Sequence, residues 1–387
     1  MKIMIITGNR SEFHLLKNLI KELKKNKKQI KLFFGVTGSH LSKFFGSTIN
    51  EIKKEKIKID TKMNLGLKND SNKSTIKYLS KAIELSSKFI NKVKPDLLII
   101  LGDRYEIYAT AISAYFNKVP IAHIYGGEKT LGSLDEGMRH SITKLSQIHF
   151  VSNNEHFERV KQLGENKKFI FNIGSLGVEA IKTTKIIPKN NLEKELNLKF
   201  LSKNVIVTFH PESNIDNLQN IKNLKILLKT LKLLKDTCII FTMSNSDPGF
   251  RGINKLIKQF VRSNKNCYFF SSLGHKRYFS ICKQVDIMIG NSSSGIIEMP
   301  SFKKATLNIG NRQNGRMQAK SVVDVEFNKE KIIKKIKYIY SNNFKKIIKK
   351  LNNPYEKKNT SKLIVKVLRK INLKDIFIKD FKDYRLK

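Results

Sequence analysis

Short apolar runs alternate along this chain with longer amphipathic stretches. Residues 2–7, 30–36, 97–101, 119–124, 148–151 and 169–173 have the length and apolar content of strands, while 13–23, 74–93, 106–116 and 141–145 show helical spacing. The alternation resumes with strand-like runs at 205–209, 237–242, 267–270, 285–289 and 305–308. Runs this apolar suit strands buried on both faces, so the alternation predicts parallel sheets covered by helices. The two series part at residues 180–191, AIKTTKIIPKNN, a polar stretch carrying Pro188 that reads as a linker. The expected architecture is α/β, with two Rossmann-like domains facing across a cleft. The N-terminal domain covers residues 1–180 and the C-terminal, nucleotide-binding domain covers 181–387. A Lys-rich helical tail beyond Asn328 is expected to pack back on the first domain. In open sheets of this kind the ligand lies at the carboxyl ends of the strands.

Composition narrows the class. The 387 residues are 40% hydrophobic and 28% charged, as in globular proteins. No apolar run reaches the ~18 residues of a membrane span, and the opening MKIMIITGNRSEF is too short in apolar residues for a signal-peptide core. Cys238, Cys267 and Cys282 lie far apart without a C-x-x-C motif, which points to a reducing compartment, and a cytoplasmic protein is expected. The net charge of +43 invites a nucleic-acid partner. Against that, only 11 of the 75 basic residues are arginine, lysine is spread over nearly every segment, and aromatic residues do not interleave with the basic ones. An A/T-rich genome writes such a surface on solvated faces, so no nucleic acid is expected. The diffuse positive field would still draw in an anionic small molecule.

The unusual clusters all follow a predicted strand. TGNRSEF (7–13) opens a helix, with Ser11 as a plausible N-cap and Arg10 inside a glycine turn; amides at a helix start favour an anion. It is not G-x-G-x-x-G, so no dinucleotide is indicated. In LGDRYE (101–106), Asp103 is either a cap for the next helix or a carboxylate presented to a ligand. HIYGGEKTLGSLDEGMRHSITK (123–144) places Asp135 and Arg139 four apart, which is either an exposed ion pair or part of a site. His210 in TFHPES is either a structural histidine or a ligand contact. IGNSSSGIIE (289–298) offers hydroxyls and amides to a phosphate, with Glu298 about a turn later for a ribose hydroxyl. NIGNRQNGR (308–316) adds Arg312 and Arg316.

Together GDRYE, HIYGGEKTLGSLDEGMRHSITK, FNIGSLG, FHPE, GNSSSGIIE and NIGNRQNGR resemble, in order and spacing over residues 1–325, the hydrolysing UDP-N-acetylglucosamine 2-epimerases of bacterial sialic acid synthesis. The resemblance implies a glycosyltransferase-B type fold, a homodimer, and conversion of UDP-N-acetylglucosamine and water to N-acetylmannosamine and UDP without a cofactor or metal. It places Asp103, Glu128, Asp135, Arg139 and His210 in catalysis. It places Arg10, His14, Arg104, Ser292, Ser293, Glu298 and Arg312 on the nucleotide sugar, with Asn245 and Arg251 matched more loosely. Some relatives have glutamate where this chain has Tyr125, which leaves open whether Glu128 does that carboxylate's work. The alternatives are a sister enzyme acting on a UDP- or GDP-linked diacetamido-trideoxyhexose, and a retaining glycosyltransferase of the same fold. The non-hydrolysing branch usually carries proline after the arginine of the opening motif, where this chain has Ser11.

Overall fold

A computed structural model describes residues 1–42, 48–67, 72–131, 135–212, 214–244 and 249–384. The chain divides into two compact units. Unit 1 comprises Met1–Glu128, Leu134–Glu179 and Lys357–Lys387; unit 2 comprises Lys129–Ser133 and Ala180–Glu356.

Among the described residues, unit 1 carries strands β1 (Lys2–Thr7), β2 (Lys31–Thr37), β3 (Thr61–Met63), β4 (Leu97–Leu101), β5 (Ile121–Ile124), β6 (Ile148–Val151) and β7 (Ile170–Asn172). They form one sheet in the order β3-β2-β1-β4-β5-β6-β7, parallel at every pairing. Helices α1 (Arg10–Lys25), α2 (Ile49–Lys54), α3 (Asn72–Val93), α4 (Tyr105–Phe116), α5 (Asp135–Leu145), α6 (Asn154–Gln162) and α7 (Leu176–Thr183) connect them. Unit 2 continues with α8 (Lys189–Leu196) and strands β8 (Lys203–Thr208), β9 (Thr237–Thr242), β10 (Cys267–Phe270), β11 (Ile287–Gly290), β12 (Ala305–Ile309) and β13 (Val322–Val325). Its sheet, also parallel throughout, runs β10-β9-β8-β11-β12-β13. Helices α9 (Asn217–Leu231), α10 (Phe250–Arg262), α11 (Gly274–Gln284), α12 (Ser293–Ile297), α13 (Lys329–Tyr340) and α14 (Asn342–Lys349) belong to it, while α15 (Thr360–Lys370) lies in unit 1 and packs on α1.

Both sheets are doubly wound. Strand order reverses between β1 and β4 in one and between β8 and β11 in the other, which opens a crevice at the carboxyl ends of those strands. The central strands are buried at every position from Leu97 to Leu101 and from Ile287 to Gly290, which is why they read as unbroken apolar runs. Helix α1 is the amphipathic counterpart: Phe13, Leu16, Leu19, Ile20 and Leu23 recur at helical spacing and bury one face.

Three expectations need correction. Asn9, not Ser11, caps α1, its side chain accepting from Glu12 N–H at 3.0 Å, and Ser11 lies within the helix. Residues 180–191 lie where unit 1 gives way to unit 2, but they are largely helical and not a free linker: α7 ends at Thr183, α8 begins at Lys189 after Pro188, and Ala180 and Ile187 are buried in the unit 2 core. The edge strands β3 and β13 had no counterpart in the sequence reading. No helix among the described residues is long and apolar enough to cross a membrane.

Candidate functional site

In unit 1 the loops after β1, β4 and β5 and the start of α5 meet at the β1–β4 reversal. The buried Arg139 guanidinium gathers this cluster. Its Nε donates to Asp103 Oδ2 at 2.7 Å, and Nη2 pairs with the same oxygen. Its Nη1 donates to Glu136 Oε2 at 2.8 Å and to the Glu128 carbonyl at 3.2 Å. Burial works against the charge on Arg139, but Asp103 and Glu128 outweigh it and hold the guanidinium protonated. Arg139 thus ties Asp103, 36 residues earlier in the chain, to Glu136 at i−3. Asp103 keeps 21% of its side chain exposed, so part of its carboxylate still faces outward.

Two histidines of the same unit differ in setting. His123 is fully buried, with Nε2 2.9 Å from the Gly102 carbonyl and Nδ1 3.2 Å from Thr143 Oγ1; burial drives it down to about 3, so the ring is neutral. His14, one turn into α1, has Nε2 2.7 Å from Glu51 Oε2 on α2. Tyr125 takes a left-handed backbone (φ +75°) and is buried. Its hydroxyl accepts from Leu176 N–H at 2.8 Å and lies 3.2 Å from Ser175 Oγ, so the ring anchors the start of α7.

Arg104 Nε donates to Glu106 Oε1 at 3.1 Å. Glu106 and Glu12 are both buried, and neither was singled out by the sequence reading. Glu12 Oε2 accepts from Gly8 N–H at 2.7 Å; burial first, and the Glu106 charge second, push Glu12 up to about 8. Arg10 begins α1 and is half-exposed.

In unit 2 the equivalent point is organised by Asn291, fully buried after β11 and also missed from sequence. Its Oδ1 accepts from His210 N–H at 2.7 Å, its Nδ2 donates to the His210 carbonyl at 2.8 Å, and its own carbonyl accepts from Arg312 Nη1 at 3.3 Å and Gln313 Nε2 at 2.8 Å. The residue before it, Gly290, has φ +137°, and a β-carbon there would overlap the Thr208 carbonyl oxygen, so only glycine lets β8 and β11 approach this closely. Ser292 caps α12, which Ser293 begins. Ser294 Oγ donates to Glu298 and lies 2.5 Å from the Tyr278 hydroxyl, while burial raises Glu298 to about 7. Glu212, behind His210, is buried against Gly310 and raised by that burial.

The structure therefore brings together Asp103, Glu128 and Arg139 in unit 1, and His210 and Arg312 in unit 2 with Ser292 next to their tether. Asp135 starts α5, the helix that carries Arg139. Arg251 sits exposed at the start of α10. Asn245 lies outside the described residues.

Comparison with known proteins places the chain. Residues 21–369 match the family model for UDP-N-acetylglucosamine 2-epimerase. A GDP/UDP-N,N'-diacetylbacillosamine 2-epimerase (hydrolyzing) of Campylobacter jejuni is 40% identical over 84% of this chain and 85% of its own length. Polysialic acid biosynthesis protein P7 of Escherichia coli is 36% identical over 99% of this chain and 97% of its own. The crystal structure of UDP-GlcNAc 2-epimerase from Neisseria meningitidis, bound to UDP-GlcNAc, superposes with a TM-score of 0.80 at 21% identity, covering 96% of this chain and all of that one, which shows a common fold. Family model, relatives and fold agree: this chain belongs to the UDP-N-acetylglucosamine 2-epimerase family and is an epimerase of the hydrolysing type.

Proposed function

We propose that the protein converts UDP-N-acetylglucosamine and water to N-acetylmannosamine and UDP. The observation that carries this reading is the Asp103–Arg139 pair, which ties the β4–α4 loop to α5 at the sheet reversal and leaves the Asp103 side chain partly exposed. The C2 proton of the sugar is not next to a carbonyl and resists an ordinary base. Once the C1–O bond to UDP ionises, the oxocarbenium ion makes that proton acidic. Carboxylates then stabilise the cation and accept the proton, giving 2-acetamidoglucal. Water adds across the double bond, hydroxyl to C1 and proton to C2 from the face that inverts it. Asp103, Glu128 and Asp135 are the carboxylates in this reading, and Arg139 orients Asp103. His210, Arg312, Arg104 and Arg10 neutralise the diphosphate, Ser292 and Ser293 supply hydroxyls and amides, and Glu298 takes the ribose. His14, Asn245 and Arg251 complete the nucleotide-sugar contacts, and the working form is a homodimer, to be checked by light scattering.

A second reading has its own support. The Campylobacter jejuni relative and a Legionella pneumophila one, 30% identical over 86% of this chain, are both named N,N'-diacetylbacillosamine 2-epimerases. Incubation with UDP-N-acetylglucosamine and with UDP- and GDP-linked diacetamido-trideoxyhexoses, followed by identification of the free sugar, decides between them. Accumulation of UDP-N-acetylmannosamine, with no free sugar, removes the hydrolytic reaction.

A further inference from the structure

Gly8 sits between two buried carboxylates that come from different elements. Its N–H donates to Glu12 Oε2 at 2.7 Å, and a β-carbon at this position would overlap the Glu106 carboxylate. Glu12 and Glu106 are 6% and 1% exposed. Asn9 Nδ2 donates to Glu12 Oε1 at 2.5 Å and Arg104 Nε donates to Glu106 Oε1 at 3.1 Å, while Glu106 Oε2 finds no hydrogen-bond partner among the described residues. Two buried carboxylates packed against the same glycine repel one another when both are ionised.

We propose that Glu12 and Glu106 share one proton, carried by Glu12, and that this singly charged pair is the joint fixing the β1–α1 and β4–α4 loops, so that both act as positioning residues for Arg104 and Asp103. The functional part rests on the reading that Arg104 and Asp103 meet the nucleotide sugar. Glu106 accepts from the Arg104 guanidinium, whereas Glu12 accepts only from neutral donors. Burial, then the Glu106 charge, push Glu12 up to about 8, with Asp103 adding in the same direction and Arg104 opposing. The other titratable groups facing the pair fit a single charge. His40, whose Nε2 lies 3.2 Å from Thr7 Oγ1, is pushed by burial down to about 4 and is neutral. Tyr105 is raised by burial and by Glu106, and stays un-ionised. His14 is engaged with Glu51, and Arg10 acts on that glutamate too.

Carbon-13 NMR of the full chain labelled at glutamate carboxyls tests the pairing directly. The Glu12 signal, assigned by its disappearance in Glu12→Gln, is expected to titrate near pH 8 and to move to lower pH in Glu106→Gln, where the neighbouring charge is gone. A Glu12 midpoint in the ordinary carboxylate range overturns the proposal, as does a midpoint that Glu106→Gln leaves in place. Where Glu12→Gln does not fold, Glu12→Asp supplies the assignment. In turnover, Glu106→Gln should raise KM at least about tenfold at pH 7, with partial recovery in Glu106→Asp, and Glu12→Gln should flatten the alkaline decline of kcat/KM in the wild type. Equal losses in Glu12→Gln and Glu106→Gln across the whole pH range also overturn the proposal. A wild-type protein without turnover would count against the proposed function alone, since the titration does not depend on substrate.

Discussion

Replacing Asn291 by alanine should cost far more than one exposed amide. The side chain makes two hydrogen bonds to a single residue, accepting from His210 N–H at 2.7 Å and donating to the His210 carbonyl at 2.8 Å. Asn291 is fully buried and His210 is 5% exposed, so water cannot readily replace either bond. Each buried backbone group left unpaired costs about 1–3 kcal/mol, and two of them give about 2–4 kcal/mol once partial relaxation of the loop is allowed. The bonds from Arg312 and Gln313 go to the Asn291 backbone carbonyl and survive the change. The loss should therefore concentrate on the loop carrying His210. Urea unfolding measures the stability term, and calorimetry with UDP measures the consequence for the proposed diphosphate contact, expected at roughly 1.4 kcal/mol or more, a tenfold loss. Asn291→Asp keeps the acceptor for His210 N–H but gives up the donor, and it adds a charge close to Glu212; it should be no better than alanine. Destabilisation well below 1 kcal/mol together with unchanged UDP affinity in Asn291→Ala would refute the reasoning.

Other expectations follow from single features. Asp135→Asn should lower turnover by about 10²–10⁴-fold if this carboxylate handles the C2 proton; product formed by the wild type in D₂O without deuterium at C2 would rule out elimination altogether. Tyr125→Phe should lose about 1–2 kcal/mol of stability with its Ser175 and Leu176 contacts, and leave turnover little changed. A fall as deep as that of Asp135→Asn would put the hydroxyl in the chemistry. Glu165 is buried against His149 (3.1 Å), Lys144 (2.6 Å) and Lys379 (2.6 Å); burial alone would raise its carboxyl, but these partners hold it down to about 2. Its contribution is thus full above pH 4.5 and is lost as pH falls toward 2, so the stability gap between wild type and Glu165→Gln should close over that window in acid titrations. A gap unchanged across it would show that the cluster does not carry this charge.

The sequence disclosed the sheets more readily than the site. Strands such as β4 and β11 are legible because burial on both faces leaves nothing but apolar residues, whereas β3, written Thr61-Lys62-Met63 at an edge, needs only one covered face and shows no run. Residues 180–191 misled because polarity and proline mark helix starts as well as linkers: Pro188 stands at the head of α8. Glycine turns and arginines pointed to the loops that follow β1, β4, β11 and β12. The buried acids and amides behind them did not announce themselves, because the burial of Glu12, Glu106 and Glu212 is produced by neighbours distant in sequence. The pairing of Arg139 with Asp103 was also hidden, because it depends on β4 and β5 lying side by side.

The return of Lys357–Lys387 to unit 1 has a consequence for biosynthesis. Ile364, Val365 and Leu368 of α15 complete the same core that holds Phe13, Leu16 and Ile20, and Thr360 Oγ1 donates to the Ile173 carbonyl at 2.9 Å. A ribosome that has just finished α7 must add the whole of unit 2 before this helix appears, a delay on the order of ten seconds or more at usual elongation speeds. During that interval the nascent first sheet carries an uncovered greasy groove along α1 while the later unit already has its full complement of strands. The half first translated is then the half last completed, and a chain stalled before Thr360 presents quality-control factors with a finished second unit attached to an open first one.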